Sequence, residues 1–103
     1  MTKVVYKKKD DFFEIITIKG HANFSTKGDD IVCAGISSIV EGSYSFFNTY
    51  HSDLILLEKK NAKISFIPLK NDNEIQTCLT MMFHQLENIS HFYPRYLSFN
   101  YKD

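Results

Sequence analysis

The stretch Phe12-Phe13-Glu14-Ile15-Ile16-Thr17-Ile18-Lys19-Gly20 decides the fold of this chain. Aromatic and β-branched residues dominate it, which favours a strand, and the glycine ends that strand. Residues 2–8 have the same character, and the polar residues Lys9-Asp10-Asp11 predict a turn, so the two runs form a predicted β-hairpin. Alternation along the second strand predicts one face with Phe13, Ile15 and Thr17 and the other with Phe12, Glu14, Ile16 and Ile18.

Two helices are predicted after the hairpin, each from apolar residues at helical spacing. The first runs from about residue 30 to 49, with Asp29 or Asp30 as its cap. Its apolar face holds Val32, Ile36, Ile39, Val40, Tyr44 and Phe47. The second runs from about residue 72 to 91 and opens on Asn71-x-x-Glu74, which resembles a capping box. Its apolar face holds Ile75, Cys78, Leu79, Met82, Leu86 and Ile89.

Three more strands are predicted, over residues 53–57, 62–67 and 95–101. The element order is then ββαββαβ, which predicts an α+β fold with two helices packed on a mostly antiparallel sheet. We expect a single small domain that spans residues 1–103. Because the predicted strands carry large apolar residues on both faces, the sheet could leave one face for a second copy, which favours a homodimer.

The composition excludes several classes of protein. Of the 103 residues, 44% are hydrophobic and 23% are charged, which is typical of a globular domain. The 12 basic and 12 acidic side chains balance, whereas a nucleic-acid-binding surface usually brings a basic excess, so direct nucleic-acid binding is not expected. No apolar run is long enough to span a membrane. Residues 1–4 show no apolar signal segment, so we expect a cytoplasmic protein.

The cysteines and histidines lack the spacing of a metal site. The sequence contains no C-x-x-C and no H-x-x-x-H pair, so we expect neither a metal nor another cofactor. Cys78 falls mid-helix on an apolar face and is interpreted as a core residue. The other three histidines besides His21 have no catalytic partner at a useful spacing and are interpreted as structural or solvated; they are His51, His84 and His91.

One histidine and one cysteine do have a spacing that suits catalysis. His21 follows Gly20 at the end of the second strand, and Cys33 comes 12 residues later at the predicted start of the first helix. A thiol in the first turn of a helix lies against unpaired backbone N–H groups and the positive end of the helix dipole, which favours the thiolate. A loop with Gly20 and Gly28 at its ends could fold the imidazole back onto that thiol. Such a pair is a nucleophile with its general base.

Each of these residues also has a simpler interpretation. Cys33 could be an inert core thiol or a redox sensor, although a sensor lacks a resolving partner here because Cys78 lies elsewhere. His21 could be a surface loop residue. Asp30 could cap the helix or orient His21, and a carboxylate at the helix start would oppose the thiolate. Ser37 lies one turn after Cys33 and could face the same cleft or pack as a small residue.

At these residues the chain resembles a known family, the ribosomal-processing cysteine proteases (Prp family) of Firmicutes and related bacteria. The family pattern is Gly-His-Ala, a variable glycine-containing loop, and then Gly-x-Asp-Ile-Val-Cys-Ala with a serine after it. In this chain the pattern reads Gly20-His21-Ala22 and then Gly28-Asp29-Asp30-Ile31-Val32-Cys33-Ala34-Gly35-Ile36-Ser37. Residues 97–102 (LSFNYK) also resemble the final strand of the family, and the element order agrees over nearly the whole chain.

The resemblance implies an endopeptidase in which Cys33 is the nucleophile and His21 the base. The family removes an N-terminal extension from the twenty-seventh protein of the large ribosomal subunit, and it cuts after a short motif that ends in an aromatic pair. The resemblance also implies a homodimer and a mobile cover over the substrate, formed by residues 22–29. Backbone N–H groups at the start of the first helix would hold the oxyanion.

A second hypothesis is a non-enzymatic module that binds the ribosome or RNA. In that case the aromatic residues of the last strand would stack on single-stranded RNA. Those residues are Tyr96, Phe99 and Tyr101. The balanced charge and the single arginine, Arg95, argue against this hypothesis.

Overall fold

The described residues form seven elements in the order ββαββαβ. The computed structural model describes residues 1–20 and 27–102, and of residues 27–30 it describes the backbone. The elements are β1 (Thr2–Lys9), β2 (Phe12–Lys19), α1 (Lys27–Tyr50), β3 (Ile55–Lys60), β4 (Lys63–Pro68), α2 (Asn73–Phe92) and β5 (Leu97–Tyr101). The predicted order and the α+β class are confirmed, and the differences lie at the ends of elements and at a bulge inside β2.

The five strands form one sheet in the order β3-β4-β2-β1-β5. β2 pairs antiparallel with β1 and with β4, and β3 pairs antiparallel with β4. β5 pairs parallel with β1, because the chain reaches this edge of the sheet only after it has crossed over through α2. The sheet is therefore mostly antiparallel, as predicted.

Two of the strand connections are tight turns that use a left-handed residue. Asp10 joins β1 to β2 with a φ of 57°, and Asn61 joins β3 to β4 with a φ of 56°. Aspartate and asparagine tolerate this region better than other non-glycine residues. The prediction that β3 would end at residue 57 is wrong, since Glu58 and Lys59 pair with β4. β3 is an edge strand, and edge strands commonly carry charged residues.

The alternation of β2 is broken by a β-bulge. Lys7 of β1 pairs with Ile15 while Lys8 pairs with Phe13, which leaves Glu14 as an extra residue. An extra residue reverses the side to which the residues before it point. The prediction that Phe13 shares a face with Ile15 and Thr17 is therefore wrong, and Phe13 lies in the core with Ile16 and Ile18.

The core lies between one face of the sheet and the two helices, which also pack on each other. Both predicted apolar helix faces are confirmed. The buried residues on α1 are Val32, Ile36, Val40 and Phe47, and those on α2 include Ile75, Leu79, Met82 and Leu86. A Cβ at Gly35 would lie 3.4 Å from Ile89 Cδ1, so the small residue lets the two helices approach closely.

The cap of α2 differs from the predicted one. Asp72 is the N-cap residue, and its Oδ1 accepts a hydrogen bond from the Ile75 N–H at 3.0 Å. The prediction had placed the cap at Asn71 with Glu74 as its partner. The extended backbone that a cap requires falls one residue later, at Asp72, with φ of −110° and ψ of 127°.

The sheet face opposite the helices is uncovered and basic. Thr17 and Ser65 are buried at its centre, with their hydroxyl oxygens 2.9 Å apart. A shallow concavity on this face includes Lys19, Lys60, Lys63 and Lys102. No helix in the described part of the chain is both long enough and apolar enough to cross a membrane.

Candidate active site

A cleft of about 220 Å³ opens beside the first half of α1. Three elements meet there: α1, the end of β2 and the β3–β4 turn. The floor is mostly aliphatic, and polar residues stand around the mouth. The lining residues are Thr2, Ile18, Gly20, Ile36, Ser37, Val40, Glu41, Lys59, Asn61, Ala62, Lys63 and Ile64. An apolar recess with a few polar groups at its edge is the usual form of a ligand site.

Cys33 lies in the second turn of α1, not in the first turn. α1 begins at Lys27, which makes Cys33 its seventh residue, whereas the sequence predicted a start near residue 30. Aspartate is a favoured residue type in the first turn of a helix as well as at a cap, so Asp29 and Asp30 do not mark where the helix starts. Asp30 is accordingly not the cap of α1, and Gly28 is not a loop hinge.

This shift separates Cys33 from the N–H groups at the start of the helix. Beyond the first turn, each backbone N–H is bonded within the helix, and the field of the dipole falls off within the same turn. The unpaired N–H groups at the start of α1 therefore lie one turn away from Cys33. The predicted position of Cys33 in the first turn, on which the expected stabilisation of the thiolate and the oxyanion depends, is therefore wrong.

The helix does place Cys33 beside the cleft. Residues 33, 37 and 41 are four apart and share one face of α1. Ser37 and Glu41 line the cleft, and partly buried Cys33 precedes Ser37 by one turn on the same helix face. Of the two interpretations of Ser37, the structure places it at the cleft, where it is exposed.

Gly20 brings the chain to the mouth of the cleft. Its φ is 75°, and its N–H donates to Ala62 O at 2.8 Å, which fixes the end of β2 against the β3–β4 turn. A Cβ at this position would lie 2.9 Å from Met1 O, so only glycine fits without movement. His21 comes next in the chain but lies outside the described residues. The predicted cover loop 22–29 falls partly outside them as well, and its residues 27–29 belong to α1.

The second cysteine is part of the core layer. Cys78 lies in the middle of α2 and packs against the buried cluster. Burial raises the pKa of the Cys78 thiol above its ordinary value, and the negative charge of Glu74 raises it further. The thiolate is therefore disfavoured at Cys78, which suits the structural role predicted for it.

The three other histidines have their own local contacts. His51 follows the last residue of α1, about 25 Å along the helix axis from Cys33 at 1.5 Å per residue. Its Nε2 lies 3.1 Å from Glu74 Oε1. His84 is exposed, with Nδ1 at 3.9 Å from Glu87 Oε1, and the ring of His91 lies against Phe92. These positions fit structural or solvated residues, as predicted.

The aromatic side chains of β5 are engaged within the fold. The Phe99 ring packs edge-on against Phe83 with centroids 5.0 Å apart. Tyr101 stacks edge-on against Tyr6 at 5.3 Å, and its hydroxyl donates to Lys8 O at 2.9 Å. Phe99 is therefore engaged in packing within the fold, whereas Tyr101 remains 52% exposed.

Two features of the cleft were missed by the sequence interpretation. Thr2 lies on the floor, and a Lys59–Glu41 ion pair stands at the mouth, with Lys59 Nζ at 2.6 Å from Glu41 Oε1 and 4.6 Å from the centre of the Tyr44 ring. Residues 41 and 59 are distant in sequence, and their contact depends on how β3 packs beside α1. No local pattern could have indicated either feature.

Comparison with known proteins finds similarity to ribosomal processing cysteine proteases. A family model described as Cysteine protease Prp matches residues 1–98. The Ribosomal processing cysteine protease Prp of Mycoplasma pneumoniae is 33% identical over 84 residues, which cover 82% of this chain and 83% of that protein. The essential ribosomal processing protease Prp from S. aureus, solved with a substrate peptide, matches with a TM-score of 0.85 and 25% identity over 99% of this chain and 100% of that one. The same protease with a covalently linked product peptide matches with a TM-score of 0.85 and 26% identity over the same shares of the two chains.

Proposed function

This chain belongs to the Cysteine protease Prp family and is a ribosomal processing cysteine protease, and from that premise we propose that it removes the N-terminal extension of ribosomal protein number twenty-seven of the large subunit. The observation that carries this proposal is that Cys33 lies one helical turn from Ser37, which lines the same cleft as Gly20, the residue directly before His21. The substrate peptide held by the S. aureus relative supports a peptide as the substrate.

The proposed mechanism is covalent catalysis by a cysteine and a histidine. Cys33 Sγ, deprotonated by His21, attacks the scissile carbonyl carbon, and the electrons of the C=O double bond move to its oxygen. The C–S bond remains as the C–N bond breaks, and the leaving amine takes its proton from His21. Water, deprotonated by His21, then hydrolyses the thioester and releases the thiol. The covalently linked product peptide in the S. aureus relative supports a covalent intermediate of this kind.

In this proposal the remaining site residues support the substrate. Gly20 and Ser37 stand on either side of the cleft and would flank the bound peptide. Asp30 precedes Cys33 by one helical turn, a position from which a carboxylate could orient His21. The start of α1 at Lys27 moves the helix end away from the thiol, so donors other than the N–H groups of the first turn would hold the oxyanion.

Cleavage of the extension by purified variants tests the proposal. A peptide that spans the extension of the organism's own ribosomal protein is incubated with the wild-type protein and its products are identified by mass spectrometry. We expect cleavage after an aromatic pair, no cleavage by Cys33→Ala, and a kcat about 10²–10⁴ times lower in His21→Gln because the general base is lost.

The second cysteine provides a matched control. Cys78→Ala should cleave at the wild-type rate, since Cys78 lies in α2 away from the cleft. Turnover retained by Cys33→Ala would refute the assignment of the nucleophile. Failure of the wild-type protein to cleave the peptide would refute the proposed substrate.

We further propose that the protein acts as a homodimer in the cytoplasm, where ribosomal proteins are made. Phe46 and Met81 are exposed along a groove between α1 and α2, which offers apolar surface to a second copy. The uncovered sheet face is less suited to this contact, because two copies would bring its lysines together.

A further inference from the structure

A buried hydroxyl without a hydrogen-bond partner lies on the floor of the cleft. Thr2 is 1% exposed, and its Oγ1 has no hydrogen-bond partner among the described residues. The Thr2 N–H donates to Tyr96 O at 3.0 Å, and Thr2 pairs with Leu97 of β5, so the sheet fixes its position. A buried hydroxyl without a hydrogen bond is unfavourable in a folded protein. A bound group that forms a hydrogen bond with it would remove that cost.

The surroundings of Thr2 restrict the kind of group that can enter. Ile18, Ile36, Val40 and Ile64 form the rest of the floor. A charged group on this floor would lose its hydration among aliphatic side chains, while Glu41 and Lys59 of the same cleft already pair with each other. A purely aliphatic group would fill the space but leave the Thr2 hydroxyl unpaired. The floor therefore suits an uncharged side chain that has an aliphatic stem and a hydrogen-bonding end.

The distance to Cys33 indicates which part of a peptide would reach this floor. Ser37 is one helical turn from Cys33, about 6 Å along the axis of α1. An extended peptide spans about 3.3–3.6 Å per residue. A side chain in the cleft would thus belong to a residue about two or three positions from the scissile bond.

An ion pair stands at the mouth of the cleft. Lys59 Nζ lies 2.6 Å and 3.1 Å from the two carboxylate oxygens of Glu41, two turns beyond Cys33 on α1. Both side chains line the cleft. With a volume of about 220 Å³, the recess suits a single side chain better than a run of backbone.

We propose that this recess, floored by Thr2, is a specificity subsite that binds one uncharged polar side chain of the substrate through a hydrogen bond to Thr2 Oγ1. The proposal rests on the proposed function, since it assigns part of the same substrate to the same cleft. Thr2 is a binding residue in this account and takes no part in bond cleavage.

The experiment combines substitutions in the protein with substitutions in the peptide. kcat/KM is measured for the wild type, Thr2→Val and Thr2→Ser on the extension peptide and on variants in which each uncharged polar residue is replaced by an apolar residue of similar shape. Thr17→Val is the matched control, because Thr17 is also a buried strand threonine but lies on the opposite sheet face.

We expect one peptide replacement, two or three residues from the cleavage site, to lower kcat/KM of the wild type about tenfold. Thr2→Val should cleave the natural peptide about tenfold more slowly and show no further loss with that replacement. Thr2→Ser and Thr17→Val should respond to the replacement as the wild type does. The melting temperature of Thr2→Val should equal or exceed that of the wild type, because a buried hydroxyl without a partner has been removed.

Three results would overturn the inference while leaving the proposed function intact. They are wild-type kcat/KM in Thr2→Val, losses that simply add for every peptide replacement, and a lower melting temperature in Thr2→Val, which would mean that the fold itself satisfies the hydroxyl. A wild-type protein that does not cleave the peptide would overturn the proposed function and the inference together. The three results above differ from this one, because in each of them the wild type still cleaves the peptide.

Discussion

At the scale of single residues, Gly20 is a position where the backbone conformation restricts the residue type to glycine. Its φ of 75° belongs to the left-handed region, and a Cβ there would lie 2.9 Å from Met1 O. We expect Gly20→Ala to lower the free energy of unfolding by about 2 kcal/mol, since the left-handed conformation alone costs an L-residue about 1–2 kcal/mol. Urea denaturation followed by circular dichroism measures this loss.

Gly42 is the matched control for that prediction. It lies inside α1, and a Cβ there would meet nothing within 4 Å. Gly42→Ala should raise the free energy of unfolding by about 0.5–1 kcal/mol, because alanine favours the helix. A Gly20→Ala protein as stable as the wild type would show that the end of β2 can move away from Met1.

The two thiols of the chain lie in different local environments. Cys78 is packed against the core, where burial and Glu74 raise its pKa and keep it protonated at neutral pH. Cys33 lies in the second turn of a helix, one turn before Ser37 of the cleft. In the proposed mechanism, deprotonation of Cys33 is assigned to His21.

At the scale of elements, a glutamine from α2 completes the backbone pairing of β2. β4 pairs with β2 only over Ile16–Lys19. Beyond that range the Phe13 N–H donates to Gln76 Oε1 at 2.8 Å, and Gln76 Nε2 donates to Phe13 O at 2.9 Å. The side-chain amide of Gln76 thus acts in place of a strand residue, directly beside the bulge at Glu14.

Replacing Gln76 with methionine should destabilise the fold, although the two side chains have similar shapes. Gln76 is 7% exposed, so Gln76→Met leaves the Phe13 N–H and C=O without partners in a buried place. Since each such group costs about 1–3 kcal/mol, we expect a loss of about 2–4 kcal/mol in the free energy of unfolding, measured with urea.

Gln85→Met on the exposed side of the same helix is the control for Gln76→Met. It should change the free energy of unfolding by less than about 0.5 kcal/mol. Equal effects of the two replacements would mean that the amide of Gln76 does not contribute to the pairing of β2.

The same contact shows why the sequence predicted the elements better than their details. Helical faces depend on residues three or four apart, so the apolar faces of α1 and α2 were predicted correctly. Beside the bulge in β2, Phe13 bonds to Gln76, a residue 63 positions away, and no alternation pattern contains that contact. The start of α1 was missed because glycine and aspartate are typical both of loops and of helix ends.

The candidate site also contains features that the sequence predicts and features that only the tertiary structure shows. Helical spacing puts Cys33 and Ser37 on one face, and the structure places Ser37 at the cleft. Thr2 and the Lys59–Glu41 pair enter the cleft only because β1 and β3 pack there. Local sequence patterns therefore indicate which residues carry chemistry, whereas the residues that shape the recess depend on the tertiary fold.

At the scale of the whole molecule, the two faces of the sheet have different environments. The helices cover one face and bury a single apolar cluster there. The other face keeps its lysines in contact with solvent around the Thr17–Ser65 pair. The cleft lies where the covered layer ends, at the join of α1, β2 and the β3–β4 turn, so its walls are set by the packing of the core.

The neighbouring residues Phe46 and Phe47 test how much stability this one core supplies. Phe47 is 0% exposed and packs against Phe66 of β4 with ring centroids 5.9 Å apart, whereas Phe46 is 37% exposed. Phe47→Ala should lose about 3–5 kcal/mol of the roughly 5–15 kcal/mol that hold a domain of this size, and the melting of both helix and sheet signals should shift together. Phe46→Ala, followed by the same urea titration, should lose about 1 kcal/mol or less. Equal losses would contradict this account, and a loss for Phe46→Ala that depended on protein concentration would place that residue in an interface between two copies.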